Sequence, residues 1–114
     1  MDDDEDIRSI VQFALEDDED IELVLCESGA DALAKLEIAR ADLILLDVMM
    51  PVMDGPSVLN RIRQLPHHVN VPVVFITAKV QPNEIKQFKA MGAIDVISKP
   101  FDPMQLPDQI KHYL

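Results

Sequence analysis

Apolar positions along this chain alternate between two spacings. Ile7, Ile10, Val11 and Leu15 recur every three or four residues, which predicts a helix over 4–16. The acids at its start suit the positive end of a helix dipole. Ile21 to Leu25 predicts a strand. Ser28 is placed to cap a helix carrying Ala32, Leu33, Leu36 and Ala39. Leu43-Ile44-Leu45-Leu46 is an unbroken apolar run, the pattern of a strand covered on both faces. After a loop over 51–55, Pro56 suits the first turn of a helix with Val58, Leu59, Ile62 and Leu65. Val71 to Ile76 predicts a second fully apolar strand. Gln81-Pro82 opens a helix with Ile85, Phe88 and Met91, ended by Gly92. Ile94 to Ser98 is the last strand. A final helix starts at Asp102-Pro103 and carries Leu106, Ile110, Tyr113 and Leu114, with Pro107 either kinking it or marking where its regular part begins. Strands and helices joined by short connections predict an α/β fold, a parallel sheet with helices on both faces.

A chain of 114 residues, 48% of them hydrophobic, can bury one core, and 4% aromatic content makes that core aliphatic. A net charge of −11 argues against nucleic-acid binding, because no basic patch can answer the phosphates. No segment is long and apolar enough to span a bilayer, and the acidic start does not match a secretory signal. The single Cys26, at a predicted strand end, excludes an internal disulfide and fits a reducing cytoplasm. Of the 21 acids, 11 lie in the first 22 residues. Glu16 to Asp20 fits a solvated turn. Asp2 to Asp6 asks for more.

The carboxyl ends of the predicted strands explain why. Asp47, Thr77 and Lys99 each stand where an apolar strand ends, at the sheet edge where open α/β folds place their chemistry. Asp2-Asp3, ahead of the first helix, arrive at the same edge. Carboxylates gathered in one place repel one another, and a hard divalent cation such as Mg²⁺ removes the conflict. An aspartate beside such a cation can attack phosphorus, with Lys99 and Thr77 neutralising the remaining phosphoryl oxygens. Simpler readings exist for each residue alone. Asp47 could cap the following loop, the acids could cap a helix, Thr77 could be a β-branched strand residue, and Lys99 a surface lysine. The acidic run is a poor calcium loop, lacking the glycine and distal glutamate of an EF-hand. His67-His68 reads as a solvated pair, and the methionines as core filling.

Four stretches carry a resemblance. They are Asp2-Asp3-Asp4-Glu5-Asp6-Ile7-Arg8, Leu45-Leu46-Asp47-Val48-Met49-Met50-Pro51-Val52-Met53-Asp54-Gly55, Val73-Val74-Phe75-Ile76-Thr77-Ala78 and Ser98-Lys99-Pro100-Phe101. In this order the chain resembles, over essentially all of residues 1–114, a single receiver domain of two-component response regulators. The resemblance implies a flavodoxin-like, doubly wound parallel sheet of strand order 2-1-3-4-5. It implies that Asp47 accepts a phosphoryl group from a sensor histidine kinase or phosphotransfer protein. Asp3 and Asp47 would bind Mg²⁺ with the backbone carbonyl of Met49, and Asp2 would act mainly through metal-bound water. Thr77 would be the switch hydroxyl. Lys99 would pair with Asp47 or its phosphate, with a cis Lys99–Pro100 peptide. Residues 82–114 would carry the output to a partner or a further domain.

The chain departs from the pattern in three places. An aromatic switch is usual three residues before the lysine, where Val96 stands, so switching is expected to run through Thr77 and loop movement. Met49 and Lys79 occupy two variable positions that tune dephosphorylation in the family. Lastly, receiver domains place an apolar strand directly before the acid pair, where here only Met1 stands. The expectation is a start set too late, so that most or all of the central strand is missing and Mg²⁺ binding is weakened. The sheet would then close up or pair with a second copy as a homodimer.

Two other functions compete with the phosphoacceptor. A receiver-like interaction module that is never phosphorylated keeps the fold, although the intact acids, Thr77 and Lys99 speak against it. A phosphohydrolase working through an aspartyl phosphate is expected to carry an acid two residues after the nucleophile, and that position is Met49. Turnover of an external substrate is therefore not expected.

Overall fold

A computed structural model describes residues 1–78 and 81–114. Lys79, one of the two variable positions named above, lies outside the described residues. The elements are α1 (Glu5–Leu15), α2 (Gly29–Ile38), β1 (Ile44–Asp47), α3 (Gly55–Ile62), β2 (Val73–Thr77), α4 (Pro82–Ala90), β3 (Asp95–Ser98) and α5 (Leu106–Tyr113). The sheet is parallel in the order β1-β2-β3, with Leu46 opposite Phe75 and Thr77 opposite Ser98. Among the described residues no helix is long and apolar enough to cross a membrane.

The doubly wound arrangement follows from side-chain alternation. Ile44, Leu46, Val73 and Phe75 point to one face and pack with Val58, Leu59 and Ile62 of α3, Phe88 of α4, and Leu33 and Leu36 of α2. Val74, Ile76 and Ile97 point to the other and pack with Val11 and Leu15 of α1 and Leu106 and Ile110 of α5. All five residues of β2 are buried, as the central strand's unbroken apolar run requires. Three helices start on side-chain caps. Asp4 accepts from the Asp6 N–H, Ser28 from Asp31 and Asp54 from Ser57. Each such cap contributes about 1 kcal/mol.

The amino-terminal edge of the sheet is tied together by polar contacts. Arg63 donates to the carbonyls of His68, Val71 and Gly92. His68 is 1% exposed, and its Nε2 accepts the Ala41 N–H at 3.2 Å. This corrects the solvated reading of the histidine pair. His67 is exposed beside Arg40, but His68 is needed inside as a backbone acceptor.

Two predicted elements differ. The strand expected over 21–25 is not formed, because a strand is defined by its neighbour and this stretch has almost none. Its burial still alternates along Ile21 to Leu25, and just past its end the Cys26 carbonyl accepts the Asp2 N–H at 3.1 Å. The last helix begins at Leu106 rather than Asp102. Asp102 holds a turn instead, accepting from Met104 N–H through its side chain and from Gln105 N–H through its carbonyl. Pro107 then falls in the first turn of α5 and marks where the regular helix begins.

Candidate acidic site at the carboxyl edge

Asp47 is the last residue of β1 and Thr77 the last of β2, while Lys99 directly follows β3. The parallel register therefore puts all three at one edge. The N-terminal segment is brought to the same edge by backbone bonding. Met1 donates from its ammonium to the Leu45 carbonyl at 2.7 Å and accepts from the Asp47 N–H at 3.0 Å. Asp2 and Asp3 thus emerge beside Asp47, one residue before the Asp4 cap of α1. Arg8, one turn into α1, donates to the Asp2 carbonyl at 2.9 Å and fixes this approach.

The carboxylates of Asp2, Asp3 and Asp47 offer oxygens that lie within 4.8 Å of one another. Asp2 and Asp47 are each 5% exposed, whereas Asp3 faces solvent. Lys99 Nζ lies 2.9 Å from Asp2 Oδ2 and 3.2 Å from Asp47 Oδ1. Burial raises the Asp47 carboxyl above its ordinary value and the Asp2 charge raises it further, while Lys99 works in the opposite direction. Burial alone would lower Lys99, but its bonds to Asp2 and Asp47 more than offset this and hold it above the usual lysine value. One ammonium thus serves two buried carboxylates with a third close by, an anionic excess that suits a divalent cation.

The loop after Asp47 is shaped by two backbone constraints. A Cβ at Gly55 would lie 2.6 Å from the Asp47 carbonyl oxygen, so only glycine allows the start of α3 to pack on this strand end. Val52, fully exposed, has φ 68, a left-handed conformation that a β-branched residue adopts at a cost. Met49 is exposed at the mouth of the site, and its backbone amide helps hold the Asp47 carboxylate. Thr77 is 2% exposed, and its carbonyl accepts the Lys99 N–H at 2.9 Å. The Lys99–Pro100 peptide is cis. Val96 packs half-buried against the core on the α3 side of the sheet.

The structure therefore brings together Asp2, Asp3, Asp47, Thr77 and Lys99. It also adds what the sequence did not suggest. Asp2 is the nearer partner of Lys99, its other oxygen accepts the Asp4 N–H at 3.0 Å, and Arg8 braces its backbone. The signal for Arg8 was its place two residues beyond the acid run, one turn into the predicted helix.

Comparison with known proteins agrees. The alkaline phosphatase synthesis transcriptional regulatory protein PhoP of Bacillus subtilis (strain 168) is 33% identical over the whole chain, which spans 46% of that protein. An uncharacterized 14.6 kDa protein of Leptolyngbya boryana is 33% identical over 99% of this chain and 86% of its own length. The solved structure of chemotaxis response regulator CheY4 of Vibrio cholerae superposes with a TM-score of 0.91 at 34% identity, covering 99% of this chain and 93% of that one. A family model for the response regulator receiver domain matches residues 1–111, and the chain belongs to that family.

Proposed function

We propose that this domain, spanning residues 1–114, is a cytoplasmic phosphoacceptor module in which Asp47 receives the phosphoryl group. The observation that carries this reading is the convergence of three carboxylates and Lys99 at one sheet edge. An Asp47 carboxylate oxygen bonds to phosphorus as the phosphorus–nitrogen bond of a phosphohistidine breaks, and the electron pair of that bond leaves with the imidazole. The donor is a sensor histidine kinase or a phosphotransfer protein, the partners receiver domains have.

Asp3, Asp47 and the Met49 carbonyl are the groups that would hold Mg²⁺, with Asp2 acting through water. The cation, when bound, offsets negative charge on the carboxylates and the incoming phosphoryl oxygens. Lys99 is already placed between Asp2 and Asp47 and transfers its contact to a phosphoryl oxygen as charge builds there. The Thr77 hydroxyl, at the adjacent strand end, supplies a further donor and couples the site to the surface formed by residues 82–114. Met49 brings no acid–base group to the position two residues beyond Asp47, so the phosphoryl group is held as a signal rather than turned over against an external substrate.

Incubation with Mg²⁺ and acetyl phosphate, read by intact mass and peptide mapping, tests this. A single phosphoryl adduct on Asp47 is expected, absent from Asp47→Asn. Asp3→Asn should keep the fold and lose the Mg²⁺ dependence. An adduct that persists in Asp47→Asn, or steady phosphate release without accumulation, overturns the assignment.

A further inference from the structure

A cleft opens between the loop that follows Asp47 and the first two turns of α4. It encloses about 720 Å³, room for several large side chains. Buried Met50 and Phe88 line its base, and Pro51 and Pro56 extend the apolar wall. The base is firm, because the Phe88 ring stands edge-on to Phe75 of β2, with ring centres 5.2 Å apart. None of Asp2, Asp47 and Lys99 lines this cleft, so it is distinct from the acidic site.

Two observations set the cleft apart from ordinary surface. The first is apolar exposure held at a cost. Met49, which lines the cleft, is 66% exposed. Val52, between the lining residues Pro51 and Asp54, is fully exposed at φ 68. Glycine or asparagine would hold the same turn more cheaply. The strained backbone of Val52 instead presents a branched apolar side chain to water alone.

The second observation is Glu84. It is half-buried, it lines the cleft, and its carboxylate makes no hydrogen bond or ion pair among the described residues. Its place in the first turn of α4 suits the helix dipole but does not explain a carboxylate set against an apolar wall. Asp54 brings a second carboxylate from the loop side. Ser57 holds that carboxyl below its ordinary value, so it stays charged. Among the described residues no lysine, arginine or histidine lines the cleft.

We infer that this cleft docks a segment of a partner protein in which one lysine or arginine is set among large aliphatic side chains. The aliphatic groups cover Met49, Val52 and the base, and the cation meets Glu84 and Asp54 as both sides lose water. A second copy of this chain fits less well, because two molecules of net charge −11 repel each other. The inference goes beyond the phosphoryl chemistry, and its test uses none.

NMR titration of the isotope-labelled chain with the probe peptide acetyl-Ser-Leu-Leu-Arg-Leu-Leu-Ser-amide decides it. Saturable shift changes are expected at Met49, Met50, Val52 and Phe88. Replacing the probe's arginine by uncharged citrulline should weaken binding about tenfold. Glu84→Gln should weaken it about fivefold, while Glu37→Gln, the same charge change at an exposed position of α2, should leave it unchanged. Val52→Gly relaxes the backbone, so it does not endanger folding, and should weaken binding about fivefold through lost apolar contact. Shift changes centred on the acidic stretches 2–6 or 16–20 overturn the inference, as does absence of saturation at millimolar probe. Equal effects of Glu84→Gln and Glu37→Gln, or undiminished binding by the citrulline probe or by Val52→Gly, also overturn it. So do shift changes at the cleft that grow with protein concentration when no probe is present, as a second copy would give.

Discussion

Lys99 and Asp2, 97 positions apart in the chain, meet at 2.9 Å, and this contact is shorter than that of Lys99 with Asp47. The first turn of the chain and the end of its last strand are thereby held against each other by a largely buried ion pair. Removing the ammonium leaves two buried carboxylates facing each other. Lys99→Ala should lose about 3 kcal/mol in urea unfolding. Millimolar Mg²⁺ should restore part of it, since the cation replaces the missing charge. A midpoint equal to that of the parent chain would mean that the pair adds nothing.

Asp47 predicts the opposite sign. Its folded-state pKa lies above the ordinary carboxylate value, first through burial and then through Asp2. The folded chain therefore holds this proton more tightly than the unfolded chain. Its contribution is most favourable below the ordinary value near 3.8 and is lost as pH rises through the raised one. At pH 7 without metal, Asp47→Asn should unfold at a higher temperature than the parent. The difference should shrink as pH falls toward 4 and as Mg²⁺ is added. Calorimetry over that range checks both, and a less stable Asp47→Asn at pH 7 would refute the argument.

Gly55→Ala should destabilise by about 2 kcal/mol, because the new methyl group meets the Asp47 carbonyl oxygen and the Val48 backbone rather than a flexible side chain. The displaced carbonyl moves the phosphoacceptor, so acetyl phosphate labelling should slow even where folding is complete. Denaturant titration and a labelling time course separate the two effects.

His68 carries a second pH dependence, far from the acids. Burial, then the neighbouring His67 and Arg40 charges, lower its pKa below 6.5. Its Nε2 must stay unprotonated to accept the Ala41 N–H. Stability from this contact is complete above about pH 6.5 and falls as pH drops through the lowered value. His68→Gln, which keeps an acceptor, should cost about 1–2 kcal/mol at pH 7. It should also flatten the loss below pH 6.5. An unchanged pH profile in that variant would place the titration elsewhere.

The site was legible in the sequence because each member stands at the end of an apolar run, and parallel strands bring such ends to one edge. Asp47, Thr77 and Lys99 needed no side-chain geometry to be grouped. The pairing of Lys99 with Asp2 did need it, because reach across 97 residues leaves no local trace. His67 and His68 are adjacent and chemically identical in sequence, and only the position of the Ala41 N–H separates the buried one from the exposed one. Residues 21–25 carry a strand's alternation in full, yet a strand is a relation between two segments, and the pattern describes one. Asp102-Pro103 looked like a helix start for a similar reason, since a turn built on an aspartate uses the same local bonds that open a helix.

Arg63 has a consequence for how a signal can travel. With His68, it staples the segments entering β1, β2 and β3 at the end of the sheet remote from Asp47. Strain introduced at Asp47 finds that pole clamped and the opposite one made of loops. The molecule is in effect a hand gripped at the wrist, and only the fingers can answer what lands on the palm.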